Sequence, residues 1–300
     1  MLPRERLNLT YSLLGRRRGY YQIGPLIVQG GDLLGTATFE YRLDGSRGEN
    51  NEFVIVYPKI IALRELGFPS QSPFGTLPSR ERIFEDPTRI QGVRDFQPGD
   101  SLRRMDWKSS ARIGVLQVRR YEPAIALETA IMLNLDAGDY RQPERHPATE
   151  LGIVTAASLA VHLVEKRQAV GLITNGQDPL AENPVAGTFL PLRKGRAHLM
   201  QVLDLLARVQ VAPEGTAVPF LTLLTGRSLG LPWGSTVIVV TARESEGLMD
   251  ALLALRRRGL VIILALTCQD RDFRATSRRA GQIGVHTIRL WSEQDLDVWR

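Results

Sequence analysis

Cysteine is nearly missing from this 300-residue chain: Cys268 stands alone, so no internal disulfide can form, and the usage fits a reducing compartment. Histidine is sparse as well, and His146, His162, His198 and His286 have no metal-ligand spacing with one another or with Cys268. The glycines never fall as Gly-x-Gly-x-x-Gly and never precede Lys-Ser/Thr at the right distance, which removes both common phosphate loops. Any ATP chemistry therefore belongs to a partner. Long apolar runs are also lacking; the most apolar, Leu260 to Cys268, is too short for a membrane span. Met1 to Tyr20 is charged throughout, without the apolar centre of a signal peptide. The sequence reads as soluble and cytoplasmic.

What is present is ordinary globular composition, 43% hydrophobic and 23% charged, in a chain long enough for one large or two ordinary domains. The net charge of +6 admits anionic partners. Its basic clusters, Arg16-Arg17-Arg18, Arg256-Arg257-Arg258 and Arg278-Arg279, are each interrupted by apolar sequence. They read as solvated loops and helix ends, and no nucleic-acid partner is expected.

Residues 1–61 carry a β pattern: alternation over Leu7, Leu9, Tyr11 and Leu13, then Tyr20 to Gln29, Ala37 to Leu43 and Phe53 to Tyr57, with turns at Gly15, Gly30-Gly31 and Asp44-Gly45. Residues 62–124 form a connector. Its first part, Ala62 to Asp86, is rich in Gly, Pro and Ser and shows no helix or strand period. From residue 125 to 300 the chain alternates strands with helices. Strands are expected at Ala130 to Leu135, Ala169 to Thr174, Thr236 to Thr241, Leu260 to Thr267 and His286 to Leu290. Helices are expected at Glu150 to Arg167, Arg196 to Val209, Glu246 to Arg258 and Asp272 to Ala280, while Pro219 to Thr225 suits either a helix or a strand. The alternation predicts an α/β fold: an open, doubly wound, mostly parallel sheet covered on both faces, preceded by a small antiparallel β-rich domain.

The most distinctive stretch lies inside the connector. Between Arg80 and Tyr121 there are ten basic and six acidic side chains. Pro98-Gly99 is a two-residue turn, and Asp100 stands where a helix N-cap belongs, ahead of a short helix holding Leu102, Met105 and Trp107. A period-two strand follows over Val115 to Arg120. Asp95, Asp100 and Asp106 are within reach of Arg94, Arg103, Arg104 and Arg112 if the turn folds back. That predicts an ion-paired clasp between two domains, in which Asp106→Ala or Arg112→Ala destabilises the protein strongly. The other reading of the same residues is an exposed basic and aromatic docking surface.

The run from Arg94-Asp95-Phe96-Gln97-Pro98-Gly99-Asp100 through Asp106-Trp107-Lys108 to Ala111-Arg112, closed by Leu116-Gln117-Val118-Arg119-Arg120-Tyr121-Glu122, resembles the signature of the domain of unknown function 58 family. The likeness extends upstream through Arg17-Arg18-Gly19-Tyr20, Gly24-Pro25 and Asp32-Leu33-Leu34-Gly35, and downstream to Asp136. The resemblance implies a β-rich domain coupled to a von Willebrand factor A-like domain. It also implies membrane anchoring through an upstream hairpin, so that Met1 falls inside the sandwich as the family builds it. A further implication is a protein partner, a MoxR-type AAA+ ATPase. Domains of the von Willebrand A type place a divalent metal at the sheet edge, on Asp-x-Ser-x-Ser, a Thr and a further Asp. Here Asp136 keeps the first position, Gly138 and Tyr140 replace the serines, and Thr241-Ala242-Arg243 stands where an acidic ligand would be. Asp139 is the one residue placed to compensate. A magnesium site on Asp136 and Asp139 is thus degenerate, and the expectation is no cofactor and no enzyme activity. The alternative is a metal-dependent ligand binder or enzyme built on those two carboxylates.

One further motif, Gly226-Arg227-Ser228-Leu229-Gly230, matches the nucleophile elbow, with Asp250 or Asp270 and His286 in triad order. Leu231-Pro232-Trp233-Gly234 follows where a helix is required, so the motif reads as a loop.

Overall fold

The computed structural model describes residues 10, 12–24, 26–32, 36, 38–43, 52–63, 85–97, 105–123, 128–183, 187–242, 244–268 and 273–296. The chain divides into two compact units, Met1–Glu65 with Glu128–Arg300, and Leu66–Leu127. The N-terminal strands, expected as a domain of their own, therefore belong to the same unit as the α/β part.

Four short strands open the first unit: β1 (Gly19–Ile23), β2 (Leu26–Gly31), β3 (Thr38–Leu43) and β4 (Glu52–Val56). β1 pairs antiparallel with β4, and β2 with β3. The single strand expected from Tyr20 to Gln29 is two, broken at Gly24, whose φ of 113° takes the chain out of the extended region. Residues 12–14 are irregular, and the rest of the first expected strand lies outside the described residues.

The second unit is built on an antiparallel ribbon, β5 (Glu85–Asp95) and β6 (Gln117–Pro123), with helix α1 (Trp107–Ile113) between them. β5 begins at the end of the stretch read as aperiodic and was not expected as a strand; Pro87 and register shifts at Ile90 explain why no period-two pattern shows there.

Returning to the first unit, the chain builds β7 (Glu128–Leu133), α2 (Arg145–Glu165), β8 (Ala169–Thr174), β9 (Thr188–Arg193), α3 (Arg196–Arg208), α4 (Phe220–Ser228), β10 (Thr236–Thr241), α5 (Glu246–Arg257), β11 (Val261–Leu266), α6 (Phe273–Gln282) and β12 (His286–Arg289). The six strands form one sheet in the order β12-β11-β10-β7-β8-β9. All neighbours are parallel except β9, which runs antiparallel to β8 at the edge. The doubly wound α/β expectation holds. β9 went unseen because Pro191 interrupts it; an edge strand tolerates the missing N–H, and Gly171 gives the ribbon room at its bulge, where a Cβ would sit 2.9 Å from the Leu190 carbonyl.

The central strands are buried end to end, so they read as continuous apolar runs. α2 has the length and apolarity of a membrane span, yet it is a core helix lying on α3, β7, β8 and β10, apolar nearly all round for that reason. It starts before Glu150 because Pro147 is tolerated in a first turn. α3 carries the ribbon of β1 and β4, where Tyr20 and Phe53 stack at 4.6 Å and the Tyr57 hydroxyl donates to Asp204 at 2.8 Å.

Candidate functional site

In an open α/β sheet the crevice lies outside the carboxyl ends of the strands where the winding reverses. Here that point falls between β7 and β10, adjacent strands from which the chain proceeds in opposite directions. Asp136 and Asp139, singled out from the sequence, both sit there, the first as N-cap and the second as last residue of the 3-10 turn Ala137–Asp139.

The turn is organised by a residue the sequence reading passed over. Asn134 is 1% exposed, and its amide makes four hydrogen bonds. Nδ2 donates to Asp139 Oδ2 at 2.6 Å and to Thr241 Oγ1 at 3.0 Å. Oδ1 accepts from the Asp136 N–H at 3.1 Å and from Asn175 Nδ2 at 3.0 Å. Asn175 in turn accepts from the Leu135 N–H at 2.7 Å. One amide thereby ties the ends of β7, β8 and β10 together. The available signal was a single polar residue inside the run Ile131-Met132-Leu133-Asn134-Leu135, since a buried amide has to find partners.

Asp136 accepts from the Gly138 N–H at 2.9 Å and so caps its own turn. The Tyr140 hydroxyl donates to the Asn134 carbonyl at 2.6 Å. Burial first, and then the negative charge that Cys268 would carry, push that phenol's pKa far up and keep it a donor.

Magnesium requires near-octahedral oxygen ligation. Among the described residues the donors at this edge do not make such a set. Asp139 Oδ2 and Thr241 Oγ1 share the same amide donor, and a Cβ at Gly138 would lie 3.1 Å from the Glu214 Cγ, so that a serine there requires the exposed Glu214 side chain to give way. Among the described residues no three His, Cys, Asp or Glu side chains gather as a metal set. Arg243, Gln269 and Asp270 lie outside the described residues.

Farther along the same edge, Asp178 is nearly buried and receives Arg208 in a bidentate pair, Nε to Oδ1 at 2.7 Å and Nη2 to Oδ2 at 2.8 Å. The Asp178 contact is the main cause that raises the Arg208 pKa. This is the desolvated fork geometry looked for in the signature stretch, found elsewhere.

Of the clasp residues, Pro98, Gly99, Asp100 and Arg103 lie outside the described residues. Asp106 is the N-cap of α1: its Oδ1 accepts from the Ser109 N–H at 2.9 Å. It forms an ion pair with Arg119 of β6, at 3.2 Å, while Arg103 and Arg104 lie outside the described residues. The Ser109 N–H, ahead of Arg119, holds the Asp106 carboxyl below its usual range. The Asp95 carboxylate accepts from the Gln117 amide, and Arg94 reaches the Asp95 carbonyl at 3.0 Å. Each of these contacts is made inside the second unit. Arg112 is exposed in the last turn of α1 and has no ion-pair partner among the described residues, and Trp107 is 64% exposed. The strong destabilisation expected from Arg112→Ala therefore loses its physical basis.

The nucleophile-elbow motif is not a loop. Ser228 is the last residue of α4, fully buried, with its hydroxyl donated to the Leu224 carbonyl, while Asp250 and His286 are exposed. His198 is buried against the Val170 carbonyl at 2.9 Å.

Residues 92–282, more than half the chain, match the family described as Protein of unknown function DUF58. The Bacillus subtilis protein YeaD is 23% identical over 205 residues, which is 67% of this chain and 45% of its own length. The Mycobacterium bovis protein Mb1516 is 31% identical over 123 residues, 41% of this chain and 36% of its own. The chain thus spans less than half the length of these relatives. Among solved structures, a von Willebrand factor type A protein from Catenulispora acidiphila is similar over 61% of this chain and 42% of its own, at 7% identity and a TM-score of 0.39. BatB from Bacteroides thetaiotaomicron is similar over 58% and 95%, at 13% identity and a TM-score of 0.36.

Proposed function

This chain belongs to the DUF58 family, and from that premise we propose that it is a non-enzymatic protein-interaction or assembly module, working with a MoxR-type AAA+ ATPase at the cytoplasmic membrane. The observation that carries the reading is the Asn134 network. At the point of the sheet where a doubly wound fold keeps its reactive groups, one oxygen of Asp136 is held by its own turn and one of Asp139 by a buried amide. Side chains committed to one another hold a surface in shape; they are poorly placed to exchange protons or metal ligands. The ATPase partner is what the family resemblance implies, and a chain with no phosphate loop needs one for any nucleotide-driven work.

Titration calorimetry with Mg²⁺ and Mn²⁺ tests the site, alongside the ATPase rate of the host's own MoxR-type protein with and without this chain. No heat of metal binding, and a changed ATPase rate on mixing, is the expected pair of results. Micromolar metal binding abolished by Asp136→Ala would overturn the reading in favour of a metal-dependent binder or enzyme.

A further inference from the structure

Turns are ordinarily polar, because their backbone groups face water. The turn that joins α1 to β6 is not. Ile113 is 59% exposed, Val115 51% and Leu116 45%, around Gly114, whose φ of 78° closes the helix and beside which a Cβ would meet nothing within 4 Å. Single exposed apolar residues are commonplace; three in four positions at one turn are not. The turn is firmly held from behind. The Gly114 N–H donates to the Ser110 carbonyl at 2.9 Å, the Ser110 hydroxyl accepts from the Gln117 N–H at 2.8 Å, and Gln117 and Val118 are buried directly after it.

Charge is arranged around this tip in a particular way. Lys108 and Arg112 are exposed, one helical turn apart on the outer side of α1, and neither has an ion-pair partner among the described residues. Two like charges at that spacing destabilise a helix slightly, so an anionic surface would relieve them. Trp107, 64% exposed, stands at the far end of the helix, about 9 Å from Ile113 along the axis at 1.5 Å per residue. Apolar tip, then cations, then an indole is the order of preferences met on passing outward from acyl chains through headgroups.

We propose that the turn Ile113–Leu116 inserts into the surface of an anionic bilayer, with Arg112 and Lys108 on lipid phosphates and Trp107 at headgroup level. The depth required, about 5–10 Å, is that of an interfacial contact and not of a span. A bilayer accepts any convex tip, whereas a protein would have to offer a groove shaped to it. Charge alone does not define the site: Arg274 and Arg278 are exposed at the same spacing on α6, with no large apolar side chain exposed on that helix. They supply the control.

The full chain is sedimented with vesicles of phosphatidylcholine alone and of phosphatidylcholine with about 30% phosphatidylserine, an anionic lipid of the kind that attracts basic segments. The wild type is expected to partition onto the anionic vesicles and to be released by salt. Ile113→Ser/Leu116→Ser and Lys108→Gln/Arg112→Gln are each expected to weaken partitioning about tenfold or more. Arg274→Gln/Arg278→Gln, which removes the same charge from a net of +6, is expected to leave it nearly unchanged. If the apolar double variant fails to fold by circular dichroism, Leu116→Lys takes its place. The proposal is overturned if all variants bind as the wild type does, which would mean bulk charge alone. It is equally overturned if the wild type ignores both vesicles, which would turn this face toward a protein. Neither result bears on the metal or ATPase tests.

Discussion

Arg18 and Glu150 meet in a two-pronged pair, Nε to Oε2 at 2.9 Å and Nη2 to Oε1 at 2.8 Å, while the remaining nitrogen of the guanidinium, Nη1, donates to the carbonyls of Leu206, at 2.8 Å, and Val209, at 2.8 Å. A cation at a helix C-terminus meets both the free carbonyls and the negative end of the dipole, so Arg18 serves α3 as a cap supplied from the start of the chain. Its side chain is 10% exposed. The Arg16-Arg17-Arg18 cluster, read as solvated, is therefore a structural anchor at its last member.

Arg18→Ala strips the helix end of these bonds and leaves Glu150 without its cation. A loss of about 3 kcal/mol in urea unfolding is expected. Glu150→Gln, which keeps the carbonyl contacts and removes charge at a side chain 35% exposed, is expected to cost about 1 kcal/mol or less. Equal losses would mean that the ion pair, and not the helix cap, is what matters.

Asn134→Ala removes four hydrogen bonds from a fully buried site and leaves Thr241, Asn175 and the Asp136 N–H seeking partners. The expected loss is about 3 kcal/mol or more, read as a lowered midpoint in thermal unfolding. Asn134→Asp should lose less at about pH 4 than at about pH 8, since its new carboxylate then faces Asp139.

His162 predicts a pH dependence. Burial, and after it Lys166, lowers its pKa from 6.5, and its partner is the Leu63 backbone. Below 6.5 the unfolded chain takes up the proton first, so it binds more protons than the native state and stability falls with pH. The contribution is whole above 6.5 and is lost as pH drops from there to the lowered native pKa. His162→Gln should flatten the unfolding free energy in that window relative to the wild type; an unchanged slope would show that His162 does not carry it.

The α/β half was legible because its strands are covered on both faces, and full burial writes itself as unbroken apolar runs such as Val237 to Val240 and Ile262 to Leu266. The candidate carboxylates were found for a related reason: position at a strand end is a matter of counting. What stayed hidden was pairing. Charge spacing places Asp106 near several arginines but cannot say that Arg119, across the ribbon on β6, is the one it meets. Asn134 was missed because a single amide has no period, and β9 because its only tolerance for Pro191 comes from being an edge.

The first unit is assembled from two stretches of chain with the whole of the second unit threaded between them. Arg18 closes on a carbonyl 191 residues later. At about 5–20 residues per second of synthesis, the N-terminal strands leave the ribosome roughly 10–40 seconds before the helix that seats them exists. Through that interval the stacked Tyr20 and Phe53 wait for the α3 face on which their ribbon packs, so synthesis order puts a delay inside the assembly of this unit.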